Sequence, residues 1–94
     1  MPEEIDQVIH QTIRTRIMAL LLGREECDFS GIKNALKITD GHMSTHMKIL
    51  IDENYVEMEK AFVNNKPRTT YRLTKLGKKK LGEYLKVLKK ILNA

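Results

Sequence analysis

Apolar residues near the N-terminus recur at three- and four-residue steps, the spacing of an amphipathic helix. The main stripe consists of Ile5, Ile9, Ile13, Ile17 and Leu20. This pattern predicts a helix over residues 3–22, beginning after Pro2, which the first turn of a helix tolerates, and ending at Gly23. Val8 lies off the stripe, so we expect a second apolar side.

The stretch REECDFSGIKNALKI predicts a very short strand and then a short helix. Residues 27–29 could form the strand, and Ser30 suits the N-cap of a helix over about residues 31–37. The inward residues of this helix are expected to be Ile32, Ala35 and Leu36.

The stretch TDGHMSTHMKIL, residues 39–50, predicts a third helix that runs to about residue 54. Either Thr39 or Asp40 can cap it. Its expected inner face consists of Met43, Met47, Leu50 and Ile51. The connection to the preceding helix has about three residues, the length of the turn in a helix-turn-helix.

After Asn54 the apolar period changes from that of a helix to that of a strand. The segments YVEMEK and TTYRLT both alternate apolar and polar residues, which predicts two strands. Between them, Asn64 and Asn65 tolerate a positive φ and Pro67 cannot continue a ladder, so we expect a protruding loop. In register, Glu57 or Glu59 would face Arg72 across the hairpin.

Thr74 is expected to cap a last helix over about residues 75–93. Its seam consists of Leu81, Leu85, Leu88 and Leu92. Steps of four, three and four are typical of helices that pair with another helix. Tyr84, Val87 and Ile91 widen the seam beyond what a small core needs.

The order helix, helix, helix, hairpin, helix predicts a mainly α fold with a β-hairpin wing, of the α+β class. The 94 residues suffice for one domain, residues 1–94. Within it we expect a helix-turn-helix at about 30–54, a wing at about 55–74, and terminal helices available for dimerisation.

Charge is distributed unevenly along the chain. Residues 1–65 hold seven Lys/Arg and eleven Asp/Glu, a net of −4, whereas residues 66–94 hold ten Lys/Arg and one acid, a net of +9. A positive field at one end suits a polyanion, either nucleic acid or an anionic membrane surface, although a solvated lysine-rich face would look the same.

Other composition features exclude several classes. The N-terminus, MPEEIDQ, is acidic and unlike a secretory signal, and no apolar run approaches the roughly 20 residues of a membrane span, so we expect a cytoplasmic protein. Cys27 is the single cysteine, which rules out an internal disulfide and a thiolate metal cluster; we expect it to be a small buried hydrophobic residue, and redox sensing stays open. No Gly-rich phosphate loop or catalytic arrangement occurs, so we expect no enzyme and no cofactor.

Four stretches resemble winged helix-turn-helix transcriptional regulators of the ArsR/MarR-like kind. They are RTRIMALLLG, DFSGIKNALKITDGHMSTHMKIL, ENYVEMEK and RTTYRLTKLGKKKL, in that order, covering about residues 14–81. The resemblance implies a DNA-binding homodimer, with the third helix in the major groove and the wing on the backbone or minor groove. The chain departs from the metal-sensing branch, which typically has a cysteine pair on or near that helix.

The third helix and the wing carry the candidate DNA contacts. On the helix, small or hydrogen-bonding residues lie opposite the apolar face, where bulk would hold the helix away from base edges. On the wing, basic residues suit phosphates and narrow minor grooves. The expected contacts are Gly41, His42, Ser44, Thr45 and Lys48 on the helix, and Lys66, Arg68 and Arg72 on the wing.

The pair His42 and His46 has the i, i+4 spacing of many zinc sites, but the residues around it do not supply further ligands. A His-Glu-x-x-His motif would need Glu where this chain has Met43, and a structural site needs about four ligands. We therefore expect no metal: His46 braces the helix by bonding to backbone, and His42 contacts a phosphate.

The expected dimer interface uses the apolar surface of both terminal helices. It consists of Ile5, Val8, Ile9, Leu81, Tyr84, Leu85, Leu88 and Leu92. The expected partners are double-stranded DNA and a second copy of the chain, and the residues identify no small-molecule effector. The alternative is a protein-interaction module without specific DNA readout; membrane anchoring by the last helix explains the leucine seam less well than a partner helix does.

Overall fold

The computed structural model describes residues 4–94, which form four helices and one three-stranded antiparallel sheet. The elements are α1 (Thr12–Arg24), β1 (Glu26–Asp28), α2 (Phe29–Leu36), α3 (Asp40–Asp52), β2 (Val56–Val63), β3 (Lys66–Leu73) and α4 (Lys75–Leu92). The predicted α+β class and the order of helices and hairpin are confirmed. No helix within residues 4–94 is long and apolar enough to cross a membrane.

The first helix is shorter than the apolar stripe predicted. It begins at Thr12, where the side chain of Gln11 accepts a hydrogen bond from the Arg14 amide, and it continues past Gly23. Before it, the Asp6 carboxylate accepts bonds from the amides of Val8 and Ile9, which holds residues 7–9 in a separate turn. The helical spacing arises because turn and helix both present apolar residues to one core. The predicted N-terminal residue Pro2 lies outside the described residues.

The segment before α1 is fastened to the rest of the fold by two tyrosines. The Tyr55 hydroxyl donates to the Asp6 carboxylate at 2.6 Å, and the Tyr84 hydroxyl lies 2.8 Å from Nδ1 of His10. Burial, reinforced by the bond to Asp6, raises the pKa of Tyr55 well above its ordinary value. The segment thus lies between the end of α3 and the middle of α4.

Helix α2 begins two residues earlier than predicted. Asp28, not Ser30, is the N-cap, and its carboxylate accepts a 2.7 Å hydrogen bond from the Gly31 amide. A carboxylate at this position also interacts favourably with the helix dipole, which a serine hydroxyl does less well. Ala35, expected inward, is exposed. Of the two predicted caps of helix α3, Thr39 is the N-cap: its hydroxyl accepts a hydrogen bond from the His42 amide at 3.1 Å.

The wing is a continuous hairpin, not two strands with a protruding loop. The ladder runs to the pair Val63–Lys66, and only Asn64 and Asn65, with φ of 53° and 64°, form the turn. Two successive positive φ values are what a two-residue hairpin turn requires. Pro67 lies within β3 although it has no backbone N–H to donate. Strand β1 pairs with β3 only at residues 70–72, so the edge of β3 at Pro67 is open and needs no donor there.

The core collects one side of every helix and the inner face of the sheet. Its members are Ile9, Ile17, Met18, Leu21, Ile32, Leu36, Met43, Met47, Leu50, Tyr55, Val56, Tyr71, Leu73, Leu81 and Tyr84. Three of these, Ile9, Leu81 and Tyr84, were expected at a dimer interface. They are 0–4% exposed within the single chain. Their apolar surface is already buried by intrachain packing, so they are core residues here.

The start of α4 is fixed against the end of α3 by close backbone contact. The Thr74 amide donates to the Tyr55 carbonyl at 3.1 Å, and the Thr74 hydroxyl donates to the Asn54 carbonyl at 2.6 Å. The same hydroxyl accepts from the Gly77 amide, which confirms Thr74 as the N-cap. A Cβ on Gly77 would lie 2.0 Å from the Tyr55 carbonyl oxygen. This junction sets the direction of α4 relative to the wing.

Candidate nucleic-acid interface

Helix α3 has one buried and one open side, divided as the sequence predicted. Met43, Met47 and Leu50 are buried, at 0–3% exposure. The open side consists of Gly41, His42, Ser44, Thr45 and Lys48, all exposed. Because the side chain at Gly41 is absent and those at Ser44 and Thr45 are short, a groove surface could approach the first two turns closely.

The charges near this open side are held in weak, replaceable ion pairs. Lys48 Nζ lies 2.7 Å from Asp52 one turn along α3, and Lys33 Nζ lies 2.9 Å from Asp40 at the start of α3. Both side chains of the first pair are more than half exposed. Exposed pairs of this kind contribute little to stability, so Lys48 can exchange its partner for a phosphate at small cost.

The two histidines have different surroundings. His42 is exposed, as a phosphate contact requires. His46 is half-buried, and its Nδ1 lies 3.0 Å from Nη1 of Arg14, whose guanidinium also donates to the backbone carbonyls of Gln7 and Val8. His46 therefore braces α3 against the N-terminal segment through an arginine side chain and not by the direct backbone bond expected. Burial, then the charges of Arg14 and His42, lower the pKa of His46.

A metal site does not assemble around this pair within residues 4–94. No group of three or more His, Cys, Asp or Glu side chains there could hold an ion.

The register of the wing places its arginines beside acids. Arg72 is opposite both Glu26 of β1 and Glu57 of β2, with N–O distances of 3.3 and 3.9 Å. Of the two glutamates considered, Glu57 faces Arg72, whereas Glu59 is opposite Thr70. Arg68 Nε lies 3.2 Å from the Asp28 carboxylate. Lys66, next to the turn, is exposed.

The sequence reasoning missed Lys60 and Phe62, both exposed on β2 near the wing tip. The asparagines and the proline of AFVNNKPR predict a loop, which ends the predicted strand at Lys60. The apolar and polar alternation that begins at Val56 breaks at Lys60, so the period alone does not extend the strand; the strand-forming residues Phe62 and Val63 are the signal that favours it.

The C-terminal half of α4 carries exposed apolar side chains of the expected seam. Leu85 is 48% and Leu92 is 82% exposed, with Ile91 between them at 52%. Of the other expected interface residues, Ile5, Val8 and Leu88 are partly buried against the core. Of the residues expected at a dimer interface, Ile9, Leu81 and Tyr84 are thus buried within the chain, whereas Leu85 and Leu92 are accessible to a partner.

A tight helix-turn-helix followed by a projecting hairpin defines a winged helix. Residues 13–92 match the family model described as a winged helix DNA-binding domain, and the chain belongs to that family. The predicted resemblance to winged helix-turn-helix transcriptional regulators is thereby confirmed.

Similar proteins extend the same finding. An uncharacterised protein of Methanocaldococcus jannaschii is 30% identical over 79 residues, which are 84% of this chain and 86% of that protein. A transcriptional regulator homologue from Pyrococcus horikoshii superposes with a TM-score of 0.88 and 27% identity, covering 94% of this chain and 87% of that one. Bacillus subtilis PadR, solved with operator DNA, has a TM-score of 0.71 and 21% identity; 80% of this chain matches 47% of PadR.

Proposed function

We propose that this protein is a transcriptional regulator that binds specific sequences of double-stranded DNA as a homodimer. The observation that carries the proposal is the division of α3: its apolar side is buried, while small and hydrogen-bonding residues occupy the open side. A helix anchored by Met43, Met47 and Leu50 can enter the major groove with Ser44 and Thr45 at the base edges.

In this proposal the contacts have different roles. Ser44 and Thr45 read bases, Gly41 lets the DNA approach the helix, and His42 and Lys48 contact phosphates. On the wing, Lys66 lies next to the turn and supplies positive charge, whereas Arg68 has a weaker role because a phosphate would have to compete with Asp28 for it. Arg72 has the weakest role, because a phosphate would have to compete with both Glu26 and Glu57.

The dimer is proposed to form through the accessible part of α4. Leu85, Leu88 and Leu92 follow one another at steps of three and four, so they share a stripe on the helix. Such a stripe can pair with its copy about a two-fold axis. Two recognition helices would then lie about 34 Å apart, one helical turn of DNA, and the preferred site would be pseudo-palindromic. A regulator of this kind would act in the cytoplasm, where bacterial and archaeal DNA lies.

Selection from a random duplex library, followed by titration of the enriched sequence at several salt concentrations, tests the proposal. We expect one enriched palindromic motif and an affinity that falls with salt. Ser44→Ala or Thr45→Ala should change the preferred bases, whereas Lys48→Ala should weaken binding to all sequences similarly. No binding to any duplex at low salt would contradict the proposal.

The alternative, a protein-interaction module, draws on the same exposed leucines of α4. A different protein could cover them in place of a second copy. Sedimentation of the purified protein separates the two: a dimer supports the DNA-binding proposal, and a stable monomer supports the interaction module.

A further inference from the structure

The wing has two chemically different faces, because side chains alternate along each strand and directly opposed residues share a face. One face carries Lys66, Arg68 and Arg72 together with Glu57 and Glu59, and the acids of β1 join it. This acid-paired face is close to neutral. A phosphate backbone brought against it would meet carboxylates as well as guanidinium groups.

The other face, called here the helix-side face, consists of Met58, Lys60, Phe62, Pro67 and Thr69. It continues the sheet surface that packs on the core, since Met58 pairs with the buried Tyr71. A groove of about 310 Å³ lies between this surface and α3, and its lining includes Ser44, Lys48 and Met58. The helix-side face is therefore on the same side of the molecule as the open side of α3.

Phe62 is the most conspicuous residue of the helix-side face. Its side chain is 80% exposed, and it is paired across the hairpin with Pro67. Four ladder steps separate Thr70, the last residue of β3 paired with β1, from Lys66 at the turn. At about 3.4 Å per residue, the wing projects roughly 14 Å beyond the three-stranded sheet. Packing this ring against a partner would be favourable, because it would remove apolar surface from water.

We propose that the helix-side face of the wing is the one that contacts DNA, and that Phe62 packs against the sugars that wall the minor groove. The inference rests on the proposed DNA binding and assigns the wing's side of that interface. The minor groove is about 6 Å wide, wide enough for an aromatic ring placed edge-on, and apolar side chains are used there by proteins that bind or bend DNA.

Charge complementarity favours DNA over another apolar partner. Lys60 shares the face with Phe62, and this face carries no acidic residue; Lys66, opposite Val63, projects from the other face beside the turn. Between Glu59 and Glu83 the sequence has no acidic residue. Phe62 is thus an apolar contact within a positive surround, which suits the sugar–phosphate backbone and opposes the approach of an identical basic wing.

The test compares Phe62→Ala with Val63→Ala on the selected duplex, each titrated over a range of salt. Val63 is the matched control, since it is the adjacent exposed apolar residue but faces the acid-paired side. We expect Phe62→Ala to weaken binding about tenfold without changing the slope of log affinity against log salt, because an apolar contact releases no counterion. Lys60→Ala should make that slope shallower by about 0.9. Val63→Ala should bind as the unchanged protein does.

Hydroxyl-radical footprinting locates the contact. Protection of minor-groove sugars beside the segment contacted by α3 should be lost in Phe62→Ala and kept in Val63→Ala. Equal affinity of Phe62→Ala and the unchanged protein would overturn the inference, as would equal weakening by both substitutions. A change in sedimentation with no change in DNA affinity would assign Phe62 to a second copy instead. If the unchanged protein bound no duplex, the proposed function itself would fail, which is a distinguishable result.

Discussion

Gly77 gives the sharpest structural prediction, because a single methyl group there meets backbone. A Cβ would lie 2.0 Å from the Tyr55 carbonyl oxygen and 3.1 Å from the Tyr55 Cα. That oxygen already accepts a hydrogen bond from the Thr74 amide, so it cannot move without loosening the cap of α4. Gly77→Ala must therefore push α4 away from the end of α3.

The expected size follows from two opposed effects. Replacing glycine by alanine within a helix gains up to about 1 kcal/mol, whereas overpacking a rigid contact costs about 1–3 kcal/mol. With backbone as the obstacle we expect the upper end of the cost, a net loss of about 2 kcal/mol. For a domain of this length, that corresponds to a Tm lowered by roughly 8–16 °C.

Gly82 provides the matched control in the same helix, since a Cβ there meets nothing within 4 Å. Gly82→Ala should stabilise the protein by up to about 1 kcal/mol. Chemical denaturation of both variants measures the difference. If Gly77→Ala were as stable as the unchanged protein, the tight junction between Tyr55 and α4 would be refuted.

Three further outcomes are expected. Burial and the charges of Arg14 and His42 lower the pKa of His46 in the folded protein below its ordinary 6.5. As the pH falls, His46 therefore binds its proton at a higher pH in the unfolded chain than in the folded one. The free energy of unfolding should thus be unaffected above pH 6.5 and decrease as pH falls below it; His46→Gln should flatten this dependence, and an unchanged slope would contradict it. Lys48→Gln should make the salt dependence of DNA affinity shallower by about 0.9, and an unchanged slope would mean that no phosphate contact was lost. Leu85→Glu should give a monomer in sedimentation, and a persistent dimer would exclude this leucine from the interface.

The sequence predicted the helix-turn-helix well because its signals are local. Thr39 and Thr74 act as N-caps where a hydroxyl precedes a helical pattern, and the inward methionines of α3 follow from the helical period alone. Such features depend on residues within one or two turns of each other. They need no knowledge of the tertiary fold.

The errors arose where distant residues decide. Helix α1 begins only at Thr12, although the apolar spacing starts earlier, and the Asp6 carboxylate that holds the preceding turn is bonded to the Tyr55 hydroxyl 49 residues along the chain. The position of Pro67 within β3 depends on how far β1 extends along its other edge. Neither outcome can be read from the local pattern.

The candidate site divides in the same way. The helical period alone predicts the open side of α3. The sequence does not show that Ile9, Leu81 and Tyr84 are buried while other residues of the expected interface are exposed, because that depends on how α4 packs on the core. Likewise, the alternation of strands does not reveal that Arg72 is opposite Glu26, because the two residues are 46 apart in sequence. Those contacts decide which wing face is free of acids.

A footprint of the protein on its selected duplex tests the central claim most directly. The account predicts two protected major-groove segments with centres about 10 base pairs apart, and a stoichiometry of two chains per duplex. It also predicts that Ser44→Ala shifts the preferred sequence within those segments. A single protected segment with one chain bound, or affinity that is the same for every duplex, would contradict the claim of a sequence-specific dimer.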